Sequence, residues 1–276
     1  MTFAAQVCTL RFQAIDQIYF PAPSAGNVLR GALGDWLRHA PDLEAYRYWF
    51  APQANSGPSG FADSARPFVL RAQPLDYRRV LPGEEFTFDV HIFPPGDDGP
   101  DMFARTFELA AVHGLGAGRG RAKLVELSRR TERIELLQPV AAREVTVEFL
   151  TATELKHQGA VVSTPEFGVL FGRIRDRVAR LLQLYGQGTP PDFDFKAMGQ
   201  RASRIRMTRC DVAWHDAERR SSRTAQVHPL DGFTGSAQYA GPLSEFVPWL
   251  YAAELCGVGR QTVWGKGAIR ATIAIR

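Results

Sequence analysis

The sequence predicts an α+β protein made of two tandem domains that share one topology. Three observations predict it. Apolar and polar residues alternate in short strands of both halves, as with Phe86, Phe88, Val90 and Ile92 against Thr87, Asp89 and His91. Amphipathic helical stretches separate these strands, so each half reads strand, helix, two strands, helix, strand. In each half the second helix then runs into a cluster of glycines before the closing strand. That order is the ferredoxin-like pattern, also used by RNA-recognition modules. The join falls near Gln138-Pro139-Val140, dividing a domain over 1–138 from one over 139–276.

The first half opens with a strand over Val7 to Ala14, where Cys8, Leu10 and Phe12 alternate with Thr9 and Arg11. Ser24 can cap a helix that ends before Pro41. Its apolar stripe is Leu29, Ala32, Leu33, Trp36 and Leu37; Arg30 and Arg38 point away from it, and His39 lies at its edge. Residues 51–60, rich in Gly, Pro, Ser and Asn, read as a surface loop. Strands follow near Pro67 to Arg71 and Glu85 to Phe93, then a helix over Met102 to His113 ended by Gly114, then a strand over Ala122 to Leu127.

The second half repeats the order. Glu144 to Thr151 alternates as a strand, and after Pro165 a long helix places Phe167, Leu170, Phe171, Ile174, Val178 and Leu181 at helical spacing. Gly186 through Pro191 ends that helix. Strands near Arg206 to Trp214 and Gly232 to Tyr239, a helix over Ser244 to Cys256, and a closing strand burying Ile269, Ala271, Ile273 and Ile275 complete the copy.

The glycine clusters are the most informative motif. The first is Gly114-Leu115-Gly116-Ala117-Gly118-Arg119-Gly120-Arg121; the second is Gly257-Val258-Gly259-Arg260 followed by Gly265-Lys266-Gly267. A helix C-cap and a tight turn explain one pair of glycines. Four alternating glycines that hold Arg119 and Arg121 point to a backbone that approaches something closely, and N–H groups beside basic side chains suit phosphate. A dinucleotide loop is excluded, because both clusters follow helices and neither has the spacing GxGxxG; no Walker A sequence is present.

Net charge is +4 with pI ≈ 9.1, and only Lys123, Lys156, Lys196 and Lys266 are lysines, leaving 29 arginines among 33 basic residues. Arginine recognises phosphate with a planar fork and stacks on bases, although a GC-rich genome also favours it. Clusters stand at Arg173, Arg175, Arg177 and Arg180, at Arg201, Arg204, Arg206 and Arg209, and at Arg219, Arg220 and Arg223. One such cluster is usually a solvated face; three in the same half suggest a nucleic-acid track.

Other chemistries find little support. Cys8, Cys210 and Cys256 are far apart without a CxxC pair, and the six histidines form no HxxxH or HExxH pair, so neither a metal nor a cofactor is expected. His91, in a strand, and His113, at a helix end, read as structural. His39, half-exposed near Arg38 and Asp35, suits general acid–base work. With no basic, apolar leader and no stretch of about 18 apolar residues, the cytoplasm is the expected location and no membrane partner is expected.

At the C-terminal segment the sequence resembles a known family. Ser221-Ser222-Arg223, then Gly232-Phe233-Thr234-Gly235-Ser236-Ala237-Gln238-Tyr239, then Leu243 to Leu250 and the second glycine loop form one connected pattern. It is similar to the CRISPR-associated endoribonucleases that process precursor CRISPR RNA, in the RAMP superfamily. Gly26-Asn27-Val28-Leu29-Arg30-Gly31-Ala32-Leu33-Gly34 resembles the family's first-helix segment, and Tyr46-Arg47-Tyr48-Trp49-Phe50 and Arg66-Pro67-Phe68-Val69-Leu70 its following segments. The cysteine cluster that many relatives carry before the aromatic segment is missing at Pro41 to Ala45.

The resemblance implies two ferredoxin-like domains and metal-independent cleavage of CRISPR repeat RNA. In that chemistry a 2′-hydroxyl attacks the adjacent phosphate, leaving a 2′,3′-cyclic phosphate and a 5′-hydroxyl. It implies catalysis near the first helix, with His39 as base or acid and Arg38, Arg30 or Tyr46 assisting. The expected RNA contacts are Gly116, Arg119, Arg121, Arg173, Arg177, Arg180, Arg204, Arg223, Gly257, Gly259, Arg260, Gly265, Lys266 and Gly267. The alternative is a non-catalytic RAMP subunit that holds guide RNA beside other subunits of a CRISPR effector complex.

Overall fold

Long strands form where apolar residues alternate, and in the first unit they make one antiparallel sheet. A computed structural model describes residues 1–21, 25–39, 43–50, 52, 65–96, 98–186, 194–216, 218–220 and 227–274, with backbone alone at 39, 43, 218–220 and 227–229. The expectations for Ser24, Pro41, 51–60, 187–191, Arg223 and Ile275 lie outside the described residues. In chain order the first half carries β1 (Thr2–Ala14), β2 (Ile18–Tyr19), α1 (Ala25–His39), α2 (Leu43–Trp49), β3 (Phe68–Arg71), β4 (Arg79–Val80), β5 (Glu85–Ile92), α3 (Asp98–His113) and β6 (Ala122–Glu135). The second carries β7 (Glu144–Thr153), β8 (Leu155–His157), β9 (Ala160–Val162), α4 (Phe167–Tyr185), α5 (Phe195–Ala202), β10 (Arg206–His215), β11 (Glu218–Arg220), β12 (Val227–Pro229), β13 (Gly232–Ala240), α6 (Val247–Cys256) and β14 (Ile269–Ile273).

The first sheet runs β3-β5-β1-β6 and the second β10-β13-β7-β14. Each is the ferredoxin-like order, in which the first and third strands of the unit lie side by side at the centre. Register in the first pairs Cys8 with Val90, Leu10 with Phe88 and Phe12 with Phe86. Since side chains alternate across a strand, these six share the face on which α1 and α3 pack. Phe12 stacks on Phe86 at 5.5 Å and on Phe88 at 5.8 Å between centroids. From α1, Leu29, Leu33 and Leu37 enter this core, each contributing about 1.5–3 kcal/mol of burial. The other face carries polar pairs instead, with Thr9 on Asp89, and Arg11 between Glu85 and Glu126.

The second unit is built alike. β13 pairs with both β7 and β10, and Phe149 and Phe233 meet edge-on at 4.9 Å from adjacent strands. Phe167 and Phe171 of α4 pack against Phe246, just before α6, and Tyr239 donates its hydroxyl to Pro165 O at 2.6 Å.

The compact units comprise Ala4–Glu132 with Val263–Gly265, and Met1–Phe3 with Arg133–Thr262 and Lys266–Arg276. The units divide between Glu132 and Arg133, inside β6, which continues past the expected Leu127 to Glu135. The short helices α2 and α5 and the hairpin of β8 with β9 were not legible as elements, being too brief for a periodic signal. Among the described residues no helix is long and apolar enough to cross a membrane.

Candidate functional site

The first helix carries glycines where other groups press on it. A Cβ on Gly34 would come within 2.3 Å of the Phe50 ring, and one on Gly26 within 3.0 Å of Trp264 O. Between these contacts Arg30 holds its guanidinium 4.4 Å from the Phe50 centroid and 5.2 Å from that of Trp264. Tyr46 stacks on the same Phe50 ring at 5.5 Å, and Arg66 Nε donates to Phe50 O at 2.7 Å. Arg30 and Tyr46 are therefore brought together around one ring, two of the four residues expected near the chemistry. Arg38 lies half-buried on the last turn of α1, and His39 closes that helix with its side chain outside the described residues. Trp264 was missed by the sequence reading. An aromatic residue set between the glycines of the second loop was the available signal.

The first glycine loop is a small hairpin folded onto the chain after β1. Leu115 and Gly120 exchange backbone hydrogen bonds at 2.8 and 3.1 Å, and Ala117 N donates to Tyr19 O at 3.0 Å. Gly116 has φ 70°, and a Cβ there would meet Tyr19 O at 2.4 Å. The close approach that the glycines permit is thus to the protein's own backbone. Arg119 stands exposed at the turn of the hairpin, whereas Arg121 is engaged by Asp16, Nε to Oδ2 at 2.6 Å, which holds that carboxyl below its usual range.

The second loop is closed by a buried polar cluster. Lys266 is only 3 % exposed and donates from Nζ to Asp231 O at 2.7 Å and to Gln261 Oε1 at 3.0 Å, with Glu154 Oε2 at 3.8 Å. Arg260 caps the same carboxylate at 2.9 Å. Burial pushes the Lys266 ammonium down to about 8, against the pull of Glu154. Its expected role as a phosphate contact is corrected here: the charge is spent inside the fold, where desolvation would penalise it without these partners. Gly257, Gly259, Gly265 and Gly267 all take positive φ, and Gly259 lies where a Cβ would meet Glu154 O at 2.4 Å.

The arginines of α4 divide in the same way. Arg177 is half-buried, with Nη2 shielded from solvent, and donates from Nε to Cys256 O at 2.7 Å, with desolvation lowering its affinity for the proton. As an RNA contact it is therefore also corrected; it ties α4 to the end of α6. Arg175 reaches Phe195 O and Asp176, while Arg173 pairs with Asp176 at 3.2 Å and Arg180 bonds Gln183. Arg204 is exposed just before β10, beside exposed Arg206 and Arg209. The thiol of Cys8, raised to about 11 by burial, is an inert core group. Among the described residues no group of three or more His, Cys, Asp or Glu side chains is placed to hold a metal ion.

Two ferredoxin-like units, each with a glycine loop after its second helix, define the class to which the fold belongs. Residues 147–269 match the family model described as CRISPR-associated endoribonuclease Cas6, and residues 3–152 match a family model described as an N-terminal domain. The endoribonuclease model thus covers most of the second half of the chain, and the other model the first half. Its fold is similar to that of Cas6 (TTHB231) from Thermus thermophilus in a product complex, at 18 % identity and TM-score 0.64, covering 97 % of this chain and 99 % of that one. It is also similar to Cas6 (TTHA0078) in a product complex, at 16 % identity and TM-score 0.59, covering 98 % and 100 %. A partial Cas6-RT-Cas1–Cas2 complex holds a similar chain, at 12 % identity and TM-score 0.60, covering 99 % of this chain and 46 % of that one. No curated protein matches the sequence.

Proposed function

We propose that this protein binds CRISPR repeat RNA in the cytoplasm and cleaves precursor CRISPR RNA without a metal ion. The 2′-hydroxyl attacks the neighbouring phosphorus and the 5′-oxygen leaves, giving a 2′,3′-cyclic phosphate and a 5′-hydroxyl. The observation that carries this reading is the match of residues 147–269 to a family of endoribonucleases. The step needs a base at the 2′-oxygen, a cation for the phosphorane and an acid for the leaving oxygen, and side chains can supply all three. The end of α1 offers His39 as base or acid and Arg38 as cation. Arg30, set between two rings, and Tyr46, stacked on Phe50, are better suited to shaping the start of the site than to proton transfer. Exposed Arg119 and Arg204 and half-buried Arg180 are the phosphate contacts this reading retains.

Incubation of the full chain with end-labelled repeat RNA in EDTA tests it. Cleavage is expected, with a downstream fragment that polynucleotide kinase labels directly and with loss of cutting when the scissile nucleotide is 2′-deoxy. Tight binding with no cleavage at stoichiometric protein would favour instead a non-catalytic subunit that holds guide RNA beside other CRISPR proteins. If His39→Ala leaves the rate within about threefold, below roughly 0.7 kcal/mol of barrier, His39 is neither acid nor base.

A further inference from the structure

We propose that His113 is a second catalytic residue, the general acid that protonates the departing 5′-oxygen, with Arg119 beside it sharing with Arg38 the charge of the phosphorane. This rests on the endoribonuclease reading above and assigns within it a role the sequence did not suggest.

Three observations meet at one end of the first unit. His113 closes α3, is exposed, and stacks its ring on Trp36 of α1 at 4.6 Å between centroids and 29° between planes. Trp36 precedes His39 by three residues on the same helix, about 4.5 Å of axial rise. The stack thus brings an imidazole from α3 to within about one turn of the histidine that ends α1. A structural role for an exposed ring would be small, whereas an imidazole held against an indole with its edge in solvent is placed to deliver a proton.

The second observation is the backbone of Arg119. Its φ is 52°, a left-handed conformation that costs an L-residue about 1–2 kcal/mol and that this loop elsewhere gives to glycine at 114, 116 and 118. The loop keeps an arginine where a glycine would be unstrained. A Cβ built on Gly114 would lie 2.3 Å from Arg119 O and 2.7 Å from Arg119 Cβ. The Arg119 side chain therefore leaves the loop directly beside the residue that follows His113.

The third is electrostatic. His113 stands in the last turn of α3 with its ring against an indole face. Arg121, two residues from Arg119, is neutralised by Asp16, while Arg119 has no ion-pair partner among the described residues.

The step balances. A base, His39 in this assignment, takes the 2′-hydroxyl proton as the 2′-oxygen bonds to phosphorus. The bond from phosphorus to the 5′-oxygen breaks with its electron pair on oxygen, and that oxygen receives the ring N–H proton of His113. One proton is taken and one given, leaving a cyclic phosphate, a 5′-hydroxyl, a protonated base and a neutral His113.

Single-turnover cleavage by His113→Ala and His113→Gln, with the full chain, tests the assignment on two RNAs. One is ordinary; the other carries sulfur in place of the 5′-bridging oxygen at the scissile phosphate, a leaving group that needs no proton. On ordinary RNA both variants are expected to be slower by about a hundredfold or more, with RNA affinity and circular dichroism unchanged. On the sulfur-bridged RNA they are expected to cut within about threefold of the unaltered protein, while His39→Ala stays slow on both. A His113 variant that is unimpaired on ordinary RNA, or equally impaired on both RNAs, overturns the proposal and leaves the endoribonuclease reading standing. Failure of the unaltered protein to cut either RNA overturns both.

Discussion

The two glycine loops follow equivalent helices, α3 and α6, yet the polymer behind each differs, and so does the fate of the basic residues they hold. Behind the first lies backbone, the carbonyls of Gln17 and Tyr19, which the loop covers with its own N–H groups and with glycines in place of side chains. The carboxylate there, Asp16, is already paired with Arg121, and Arg119 is left in solvent. Behind the second lies Glu154, only 6 % exposed at the end of β7, and a buried carboxylate requires a partner. Lys266 is drawn inward to serve it, together with Asp231 O and Gln261. Arg119 of the first loop faces solvent, and Lys266 of the second is turned inward. A basic residue in a glycine loop is therefore not by itself a phosphate ligand.

The largest effect that could break this contrast is expected at Gly267. Its φ is 69° and a Cβ would lie 1.9 Å from Val258 O, so Gly267→Ala should destabilise the protein by about 3 kcal/mol or more, read by denaturant unfolding. Gly118→Ala, also at positive φ but facing open space, should lose only about 1 kcal/mol. Equal losses at the two positions would show that packing behind the second loop is not what distinguishes it.

Lys266→Met should come next, at about 3 kcal/mol, because it leaves Asp231 O and Gln261 without their donor and Glu154 with Arg260 alone. An unchanged unfolding midpoint would mean that the cluster is dispensable. The same lysine sharpens the comparison through pH. Its folded value of about 8 lies below the ordinary 10.5, so between those values the unfolded chain binds more protons than the folded one. Stability should therefore rise with pH across that window, relative to Lys266→Met at each pH. A difference between the two proteins that is flat from pH 8 to 10.5 would contradict the buried ammonium.

The smallest effect on stability is expected at Arg119. Arg119→Ala should change unfolding by no more than about 0.5 kcal/mol while weakening RNA binding and lowering its salt slope by about one. Lys266→Met, by contrast, should leave the salt slope unchanged wherever the protein remains folded. A lowered slope for Lys266→Met and not for Arg119→Ala would reverse the roles assigned to the two loops.

What the sequence determined by itself was the order of elements and the face each strand buries. Hydrophobic alternation is a local property, and Cys8, Leu10, Phe12, Phe86, Phe88 and Val90 carried it without help from the rest of the chain. The duplication was legible for the same reason, since two copies of one order cannot arise from composition alone. The tertiary structure decided which charges are free. Lys266 finds its acceptor at Asp231 and Arg177 its acceptor at Cys256, partners 35 and 79 residues away that no helical or strand period brings into view. Desolvation depends on what covers a side chain, and the cover comes from distant sequence. The stack of His113 on Trp36 and the seat of Arg30 between Phe50 and Trp264 belong to the same class, for they join residues whose nearness is created only when the helices pack.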